Sequence, residues 1–364
     1  MRVLISAYTG LGNFILKTPL IDYINRIFPG AEVDIIAGNS FGAEFVLDGS
    51  TLINNIYILK DDSSLFHKVK FFYQLRKRKH DVMFLPFDAT PAFLIAGTLC
   101  LPGKKYMHST RNINRTFMHK LRNILMGLGL PGFHFVPILA GRHEIDLNYD
   151  LFEAYLSKPV SRTYRTFISR NNESVAILEK YSLTINRYIV LQPGAANGAV
   201  TAKTWSPNNF FQLINRLKVD YPNLPILLVG DRGDREFIRN TPLNDIGGVV
   251  NLLGVTTVSE LRDVLAGALV VVAHDSGVMH IANALQVNLV ALFGPTDYTR
   301  TRPLGENSHI LFSDNACLAA MYNFQAGEKE LALRYPDYGC MSAISVDDVI
   351  LELDRIVMGS KCRE

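Results

Sequence analysis

Cysteine is scarce in this sequence, and the cysteines present do not form the patterns of disulfide-rich or zinc-binding domains. Cys100, Cys317, Cys340 and Cys362 are scattered along 364 residues, and no pair has CxxC spacing. Small secreted domains need a dense cysteine framework, and structural zinc sites need clustered ligands. We therefore expect reduced thiols, as in a cytoplasmic protein, and no metal site.

A targeting sequence and a membrane-spanning run are also missing. The opening MRVLISAYTGLGNF reaches glycine and asparagine too early for a signal peptide. The apolar run Ala89–Gly103 is interrupted by Pro91 and falls short of the roughly 20 residues that cross a bilayer. We expect a soluble protein, or at most one attached to a membrane surface.

Charge of neither sign dominates the chain as a whole, but one region is strongly basic. The formal net charge is only +3, so bulk attraction to nucleic acid is not expected. Residues 60–122 contain thirteen Lys or Arg against four Asp. Two explanations stay open: an ordinary solvated basic face, or a surface for an anionic acceptor or an anionic bilayer.

What the sequence does have is apolar material for a large core and an alternation of strand and helix patterns. Hydrophobic residues make up 48% of the chain and charged residues 20%. The chain opens with a strand pattern at Arg2–Ala7, a glycine-rich loop, a helical pattern at Phe14–Phe28 and a strand pattern at Glu32–Ala37. The GxGxxG dinucleotide fingerprint fails because Ile15 stands at the third glycine, so a nicotinamide oxidoreductase is the least favoured function.

The same alternation restarts after the polar stretch Ser157–Asn172, which we interpret as the domain boundary. This α/β pattern predicts two Rossmann-like domains with a cleft between them, at residues 1–168 and 169–345. A final amphipathic helix is predicted within residues 346–364.

The stretch Val270–Thr296 is the most informative, because it reads as strand, turn, helix and strand. Ligands of such units lie beyond the carboxyl ends of the strands, at the helix N-terminus. Ser276 is placed to cap that helix, Gly277 allows close backbone approach, and the amides of Ser276, Gly277 and Val278 would face an anion. An ordinary strand-to-helix turn is the alternative.

Several segments together resemble the ADP-heptose:lipopolysaccharide heptosyltransferase family, glycosyltransferase family nine. The opening RVLISAYTGLGNFILKTPLIDYINRIFPGAEVDIIA is similar to its first strand, glycine loop and TP-containing helix. LQPGAANGAVTAKTW, LLVGDRGDRE and CMSAI resemble three further family segments. DSGVMHIANALQVNLVALFGPT resembles its D-[ST]-G-x-x-H signature and the FGPT strand end, and is the most specific match.

The resemblance implies a GT-B fold, with the acceptor on the first domain, the nucleotide-sugar on the second, and the last helix packing back on the first. The implied reaction is inverting, metal-independent transfer of heptose or a related sugar from a nucleotide-sugar, ADP-heptose in the family, to a lipopolysaccharide or other cell-envelope glycan. No cofactor is implied, and the implied location is the cytoplasm, with peripheral contact to the inner membrane as an open alternative.

The residue chemistry agrees with a departing diphosphate, whose developing negative charge needs preorganised donors. Lys203 is a suitable cation, although an ordinary solvated loop lysine is the alternative. Asp275 suits sugar hydroxyls or a turn cap, and His280 suits a phosphate or a structural role. Asp234 matches the acidic residue for ribose hydroxyls, or is a plain turn carboxylate.

Two further positions complete the predicted nucleotide-sugar site, namely Gly194 in the P-G-A segment and Thr256, which matches a position whose backbone meets the adenine. On the acceptor side the family match gives Gly12 and Asn13.

Asn13 departs from the family, whose members usually carry an aspartate there as the proposed general base. An amide cannot accept a proton at neutral pH. Either another carboxylate serves, for which Asp88 is our candidate, or Asn13 only positions the acceptor, or the protein binds without turnover. A catalytically silent nucleotide-sugar-binding homologue therefore stays open as an alternative to the transferase. Another GT-B-type enzyme, such as a nucleotide-sugar epimerase, is a separate alternative.

Overall fold

The computed structural model describes residues 1–7, 10–38, 51–59, 63–85, 91–101, 103–109, 117–139, 141–169, 175–195, 202–318, 320–321 and 328–361. The chain forms two compact units, Met1–Asn171 and Asn172–Glu364. The division lies close to the boundary expected at 168/169. Of the helices described, none has the length and apolar character needed to cross a bilayer.

The first unit is a parallel six-stranded sheet with helices between its strands. Its elements are β1 (Arg2–Ala7), α1 (Leu11–Ile15), α2 (Thr18–Ile27), β2 (Glu32–Ala37), β3 (Asn55–Ile58), α3 (Leu65–Leu75), β4 (Val82–Leu85), α4 (Pro91–Cys100), β5 (Lys104–Ser109), α5 (Phe117–Gly127), β6 (Phe133–Pro137) and α6 (Glu144–Leu156). The strand order is β3-β2-β1-β4-β5-β6, and all pairs are parallel. The order reverses between β1 and β4, where α/β sheets place their ligands.

Alternation along the strands divides the core of this unit between the two faces of the sheet. Met83 and Leu85 of β4 pack in one cluster with Phe72 of α3, Leu94 of α4 and Met126 of α5. The intervening Phe84 makes edge-to-face contact with Phe152 of α6, which also contacts Tyr23 of α2. Helices α3, α4 and α5 therefore cover one face, and α2 and α6 cover the other.

The second unit repeats the same topology with a second parallel sheet. Its elements are α7 (Ala176–Lys180), β7 (Ile189–Leu191), α8 (Pro207–Asp220), β8 (Ile226–Leu228), α9 (Arg232–Ile238), β9 (Val250–Asn251), α10 (Val258–Ala266), β10 (Val270–His274), α11 (Gly277–Ala284), β11 (Leu289–Phe293), α12 (Tyr298–Thr301), β12 (Ser308–Phe312), α13 (Glu328–Arg334) and α14 (Val346–Lys361). The strand order is β12-β11-β10-β7-β8-β9. The switch point of this sheet lies between β7 and β10.

Helix α14 packs on the second unit. Val349, Ile350 and Leu353 belong to the apolar core that includes strands β7, β8 and β10. Asp354 accepts a hydrogen bond from the Tyr221 hydroxyl, and Glu352 pairs with His309. The sequence prediction assigned this helix to the first unit, whereas these contacts are all made within the second.

Two expectations need correction. Asp234, for which a plain turn carboxylate was one alternative, lies in the first turn of a helix, where Asp231 and Asp234 form a reciprocal capping box at the start of α9. Cys317 and Cys340, expected as thiols, form a disulfide with a Cα–Cα distance of 5.2 Å, within the usual range. Sequence spacing could not reveal this pairing, because the fold brings together residues that are 23 positions apart.

The disulfide yields a prediction for thermal stability. Reduction should lower the midpoint of unfolding, because a loop of this length gains about 3 kcal/mol from closure in the chain-entropy model. We would measure thermal unfolding with and without reductant. The Cys317→Ser variant, which has no bond to lose, should melt at the lower midpoint under both conditions. An unchanged wild-type midpoint, with reduction verified by mass spectrometry, would contradict the prediction.

Candidate functional site

The switch point of the second sheet is organised by a buried histidine at the end of β10. The side chain of His274 is fully buried. Its Nδ1 lies 2.9 Å from the carbonyl oxygen of Gly194, and its Nε2 lies 2.9 Å from the backbone nitrogen of Trp205. One imidazole thus connects both ends of the loop between β7 and α8 to the strand that leads into α11.

These two contacts fix the protonation state of His274. The Trp205 amide can only donate, so Nε2 must accept, and the Gly194 carbonyl can only accept, so Nδ1 must donate. The ring is therefore neutral, with its proton on Nδ1. The pKa of His274 is lowered to about 4, chiefly by burial; the hydrogen bond to the Gly194 carbonyl opposes this shift, and the nearby positive charge of Lys203 makes a smaller contribution to it.

The N-terminus of α11 lies two residues beyond this histidine. Ser276 occupies the N-cap position but makes no side-chain capping bond, which corrects the expectation that it caps the helix. Its hydroxyl instead donates to Oε1 of Gln192, at 2.7 Å, across the switch point between β7 and β10. Residues 275–277 are partly exposed, so the first turn of α11 reaches solvent with no side chain capping it.

Asp275 and His280 lie one helical turn apart at this end of α11. The carboxylate Oδ1 of Asp275 lies 3.9 Å from Nε2 of His280, too far for a hydrogen bond. His280 is buried, and the Asp275 side chain retains 11% of its exposure. The geometry places both residues at the predicted donor site, and their roles stay predictions.

Lys203 stands between anchored neighbours. Ala202 packs in a small apolar cluster with Cys317 and Cys340. Trp205 is fully buried, and its indole nitrogen donates to the carbonyl of Ile344 at 2.9 Å. Lys203 itself is only half-buried. Because its neighbours on both sides are fixed, its backbone position is fixed as well, and its charge is close enough to influence His274.

Asp234 fills a space that two glycines leave open. A Cβ atom on Gly194 would lie 1.8 Å from Oδ1 of Asp234, and one on Gly230 would lie 2.3 Å from Oδ2. Oδ2 accepts the Asp231 amide at 3.0 Å, while Oδ1 is buried without a hydrogen-bond donor among the described residues. Burial first, and the charge of Asp231 second, raise the pKa of Asp234 to about 6.

The remaining predicted residues that the structure describes lie at the start of a helix or just before one. Thr256 is half-buried and directly precedes Thr257, the N-cap of α10. In the first unit, Gly12 and Asn13 lie in α1 directly after β1, and the carbonyl of Asn13 accepts a hydrogen bond from Nζ of Lys17 at 3.1 Å. Asp88 lies outside the described residues. Over the described part of the chain, no group of three or more His, Cys, Asp or Glu side chains could hold a metal ion.

Sequence reasoning missed His274 and Gln192 as parts of the site. Gln192 directly follows the buried strand β7, and His274 ends the buried strand β10. A polar side chain that closes a run of buried β-branched residues must find partners, and this signal was available in the sequence.

Comparison with known sequences identifies similar proteins. The sequence profile of Glycosyltransferase family 9 (heptosyltransferase) matches residues 134–329, more than half of the chain. Lipopolysaccharide heptosyltransferase 3 of Escherichia coli K12 is 24% identical over 363 residues, covering 95% of either chain.

Comparison with solved structures supports the fold. The chain is similar to a glycosyltransferase family 9 structure from Veillonella parvula, with a TM-score of 0.77 at 15% identity, over 98% of this chain and 97% of the other. It is also similar to E. coli ADP-heptose LPS heptosyltransferase II, with a TM-score of 0.68 at 20% identity, over 99% and 100%. The predicted α/β fold of the GT-B class, with two Rossmann-like units, is confirmed.

The shifted pKa of His274 predicts a specific loss of stability in acid. The unfolded imidazole takes up its proton near pH 6.5 but the folded one only near pH 4, so the free energy of unfolding falls as the pH drops between these values. At pH 4.5 this share of the loss is about 2 kcal/mol. It should be absent in His274→Gln.

We would measure urea unfolding of both proteins at pH 7 and pH 4.5 and compare the differences. His134→Gln, which changes an exposed histidine of the first unit, is the control and should keep the wild-type difference. Equal acid losses in wild type and His274→Gln would show that His274 is not held neutral.

Proposed function

The chain belongs to glycosyltransferase family 9, the heptosyltransferase family, and on this premise we propose that it transfers heptose, or a related sugar, from ADP-heptose to a lipopolysaccharide or another cell-envelope glycan. The observation that carries the proposal is the His274 bridge, because it brings the Gly194–Trp205 loop and the start of α11 to one switch point. Because the chain belongs to a glycosyltransferase family, we set aside the epimerase and the nicotinamide oxidoreductase as alternatives.

We assign the diphosphate of the donor to the first turn of α11. The amides of Ser276, Gly277 and Val278 lie where the helix dipole favours an anion. Lys203 adds a cation next to the same switch point. Because charge develops on the diphosphate as the sugar leaves, these donors stabilise the transition state more than the ground state.

The other donor contacts follow from position. We assign the hydroxyls of the transferred sugar to Asp275, whose carboxylate lies 3.9 Å from Nε2 of His280. We assign the ribose hydroxyls to Asp234. Oδ1 of Asp234 has no described protein donor, so a ribose hydroxyl would supply the missing hydrogen bond. The adenine is assigned to the backbone at Thr256, beside the adjacent strand end.

The proposed transfer is an inverting displacement. The oxygen of the acceptor hydroxyl forms a bond to the anomeric carbon, while the bond between that carbon and the β-phosphate oxygen breaks and ADP leaves with the electron pair. The acceptor is assigned to the first unit, at Gly12 and Asn13. The acceptor proton passes to Asp88 or to solvent, because the amide of Asn13 cannot take it. No step in this scheme uses a metal or a cofactor.

We place the protein in the cytoplasm, with peripheral contact to the inner membrane surface, where a lipopolysaccharide acceptor would be met. Disulfides are rare in that compartment, so the state of Cys317–Cys340 in the cell bears on this location. Thiol labelling of the two cysteines immediately after lysis would report it.

The first test is binding of the donor. We expect ADP and ADP-heptose to bind in isothermal titration, and Lys203→Met to weaken both by roughly 10- to 100-fold, as one charge-assisted hydrogen bond is worth. Lys180→Met, which removes an exposed lysine of the same unit, is the matched control and should bind like wild type. If wild type binds neither compound, the proposed function is wrong.

A second candidate, a silent nucleotide-sugar-binding protein, is favoured by Asn13 alone. If the missing carboxylate limits turnover, Asn13→Asp should raise the rate of heptose transfer by roughly 10²- to 10⁴-fold and leave ADP affinity unchanged. The readout is ADP release on adding a heptose-acceptor lipopolysaccharide. Asn13→Ala serves as the control without a carboxylate.

The wild-type rate separates the candidates. Transfer by wild type at a rate that Asn13→Asp does not raise would exclude silence and assign the proton to another group. Absence of transfer in wild type, with its appearance in Asn13→Asp, would establish the silent protein.

A further inference from the structure

The two faces of the first sheet carry opposite charge. Helices α3, α4 and α5, which cover one face, contain no Asp or Glu. On the other face, α6 carries Glu144, Asp146, Asp150 and Glu153, of which three pair with Arg142 or Arg162. Of the basic residues counted in the sequence at 60–122, Lys68, Lys70, Lys120 and Arg122 lie on the helices of the first face.

The outer surface of α3, α4 and α5 is also apolar to an unusual degree. Six large side chains have exposed fractions of at least 60%: Phe66, Tyr73, Leu99, Phe117, Ile124 and Leu128. We call this surface the three-helix face. Single exposed apolar residues are common, but six on three adjacent helices form a patch that needs an explanation.

Lysines alternate with these apolar side chains along two stripes. On α3 and the turn after it, Phe66, Lys70, Tyr73 and Lys77 follow at spacings of four, three and four, which keeps them on one side of a helix. On α5 and the residue that follows it, Phe117, Lys120, Ile124 and Leu128 are spaced by three, four and four residues. All three lysines are exposed.

We propose that the three-helix face docks on an anionic lipid bilayer. Aromatic and aliphatic residues enter the boundary between headgroups and acyl chains, while the lysines contact anionic headgroups. A protein partner fits less well, because the centres of protein interfaces are depleted of lysine. The inference deepens the membrane contact of the proposed function, in which a glycolipid acceptor is held in a bilayer.

Each part of the face contributes in a different way. The lysines provide long-range attraction that salt screens, and the apolar side chains provide adhesion that salt does not weaken.

The test is co-sedimentation of the full chain with vesicles, without donor or acceptor. We expect binding to vesicles of phosphatidylcholine with roughly one third phosphatidylglycerol, and at least roughly tenfold weaker binding to pure phosphatidylcholine. Salt at about 0.5 M should weaken the anionic-vesicle binding to a similar extent.

Two sets of variants locate the surface. Lys70→Glu with Lys77→Glu and Lys120→Glu should lower anionic-vesicle affinity at least roughly tenfold, and Phe66→Ser with Phe117→Ser should lower it in high salt as well. The matched control, Ile27→Ser with Lys158→Glu, changes one exposed apolar residue and one exposed lysine outside the three-helix face and should bind like wild type. ADP titration of each variant shows that the second unit is folded and separates this test from that of the transferase.

Three outcomes would overturn the proposal: no binding of wild type to anionic vesicles, equal binding of wild type and both face variants, or equal binding to anionic and neutral vesicles. Sedimentation velocity tests the other possible occupant of the three-helix face, a second copy of the chain. If wild type self-associates and the face variants do not, while vesicle binding is unaffected, the three-helix face is an interface between copies of the chain.

Discussion

A single neutral imidazole holds the second unit's switch point together. His274 accepts the Trp205 amide and donates to the Gly194 carbonyl, so it ties the ends of one loop to the strand that precedes α11. A protonated ring would turn one acceptor into a donor that faces another donor, inside a fully buried site. The lowered pKa and the hydrogen-bond pattern are therefore two aspects of one constraint. Lys203 and the amides of α11 depend on it for their positions.

A second constraint acts on the neighbouring strand ends. Asp234 sits where side chains on Gly194 or Gly230 would collide with it, so glycine at both positions leaves room for the carboxylate. The same carboxylate caps α9 with one oxygen and leaves the other without a described donor. The raised pKa of Asp234 shows that burial and the charge of Asp231 destabilise its ionised form. Asp234 thus has two roles, one as part of the helix cap and one as a candidate ligand contact. A substitution of Asp234 would remove both.

Much of the fold was predictable, and the failures have physical causes. Buried β-branched runs gave the strands, their alternation with helices gave two parallel sheets, and the predicted donor-site residues lie beyond strand ends or in the loop that His274 anchors. No interpretation was made of α5, since exposed Phe117, Ile124 and Leu128 blur its amphipathic pattern. Ser276 was assigned as a cap because local chemistry favours it, but a tertiary partner, Gln192, takes the hydroxyl. Disulfide pairing depends on distant contacts that no local pattern encodes.

The arrangement of the second unit's switch point depends most on the protonation of His274, and nitrogen NMR of that ring tests this protonation most directly. Its signals can be assigned by comparing ¹⁵N-labelled wild type with His274→Gln at neutral pH. We predict a protonated Nδ1 and an unprotonated Nε2. A ring protonated on Nε2, or on both nitrogens, would contradict the bridge to Gly194 and Trp205 and with it the proposed assembly of the donor site.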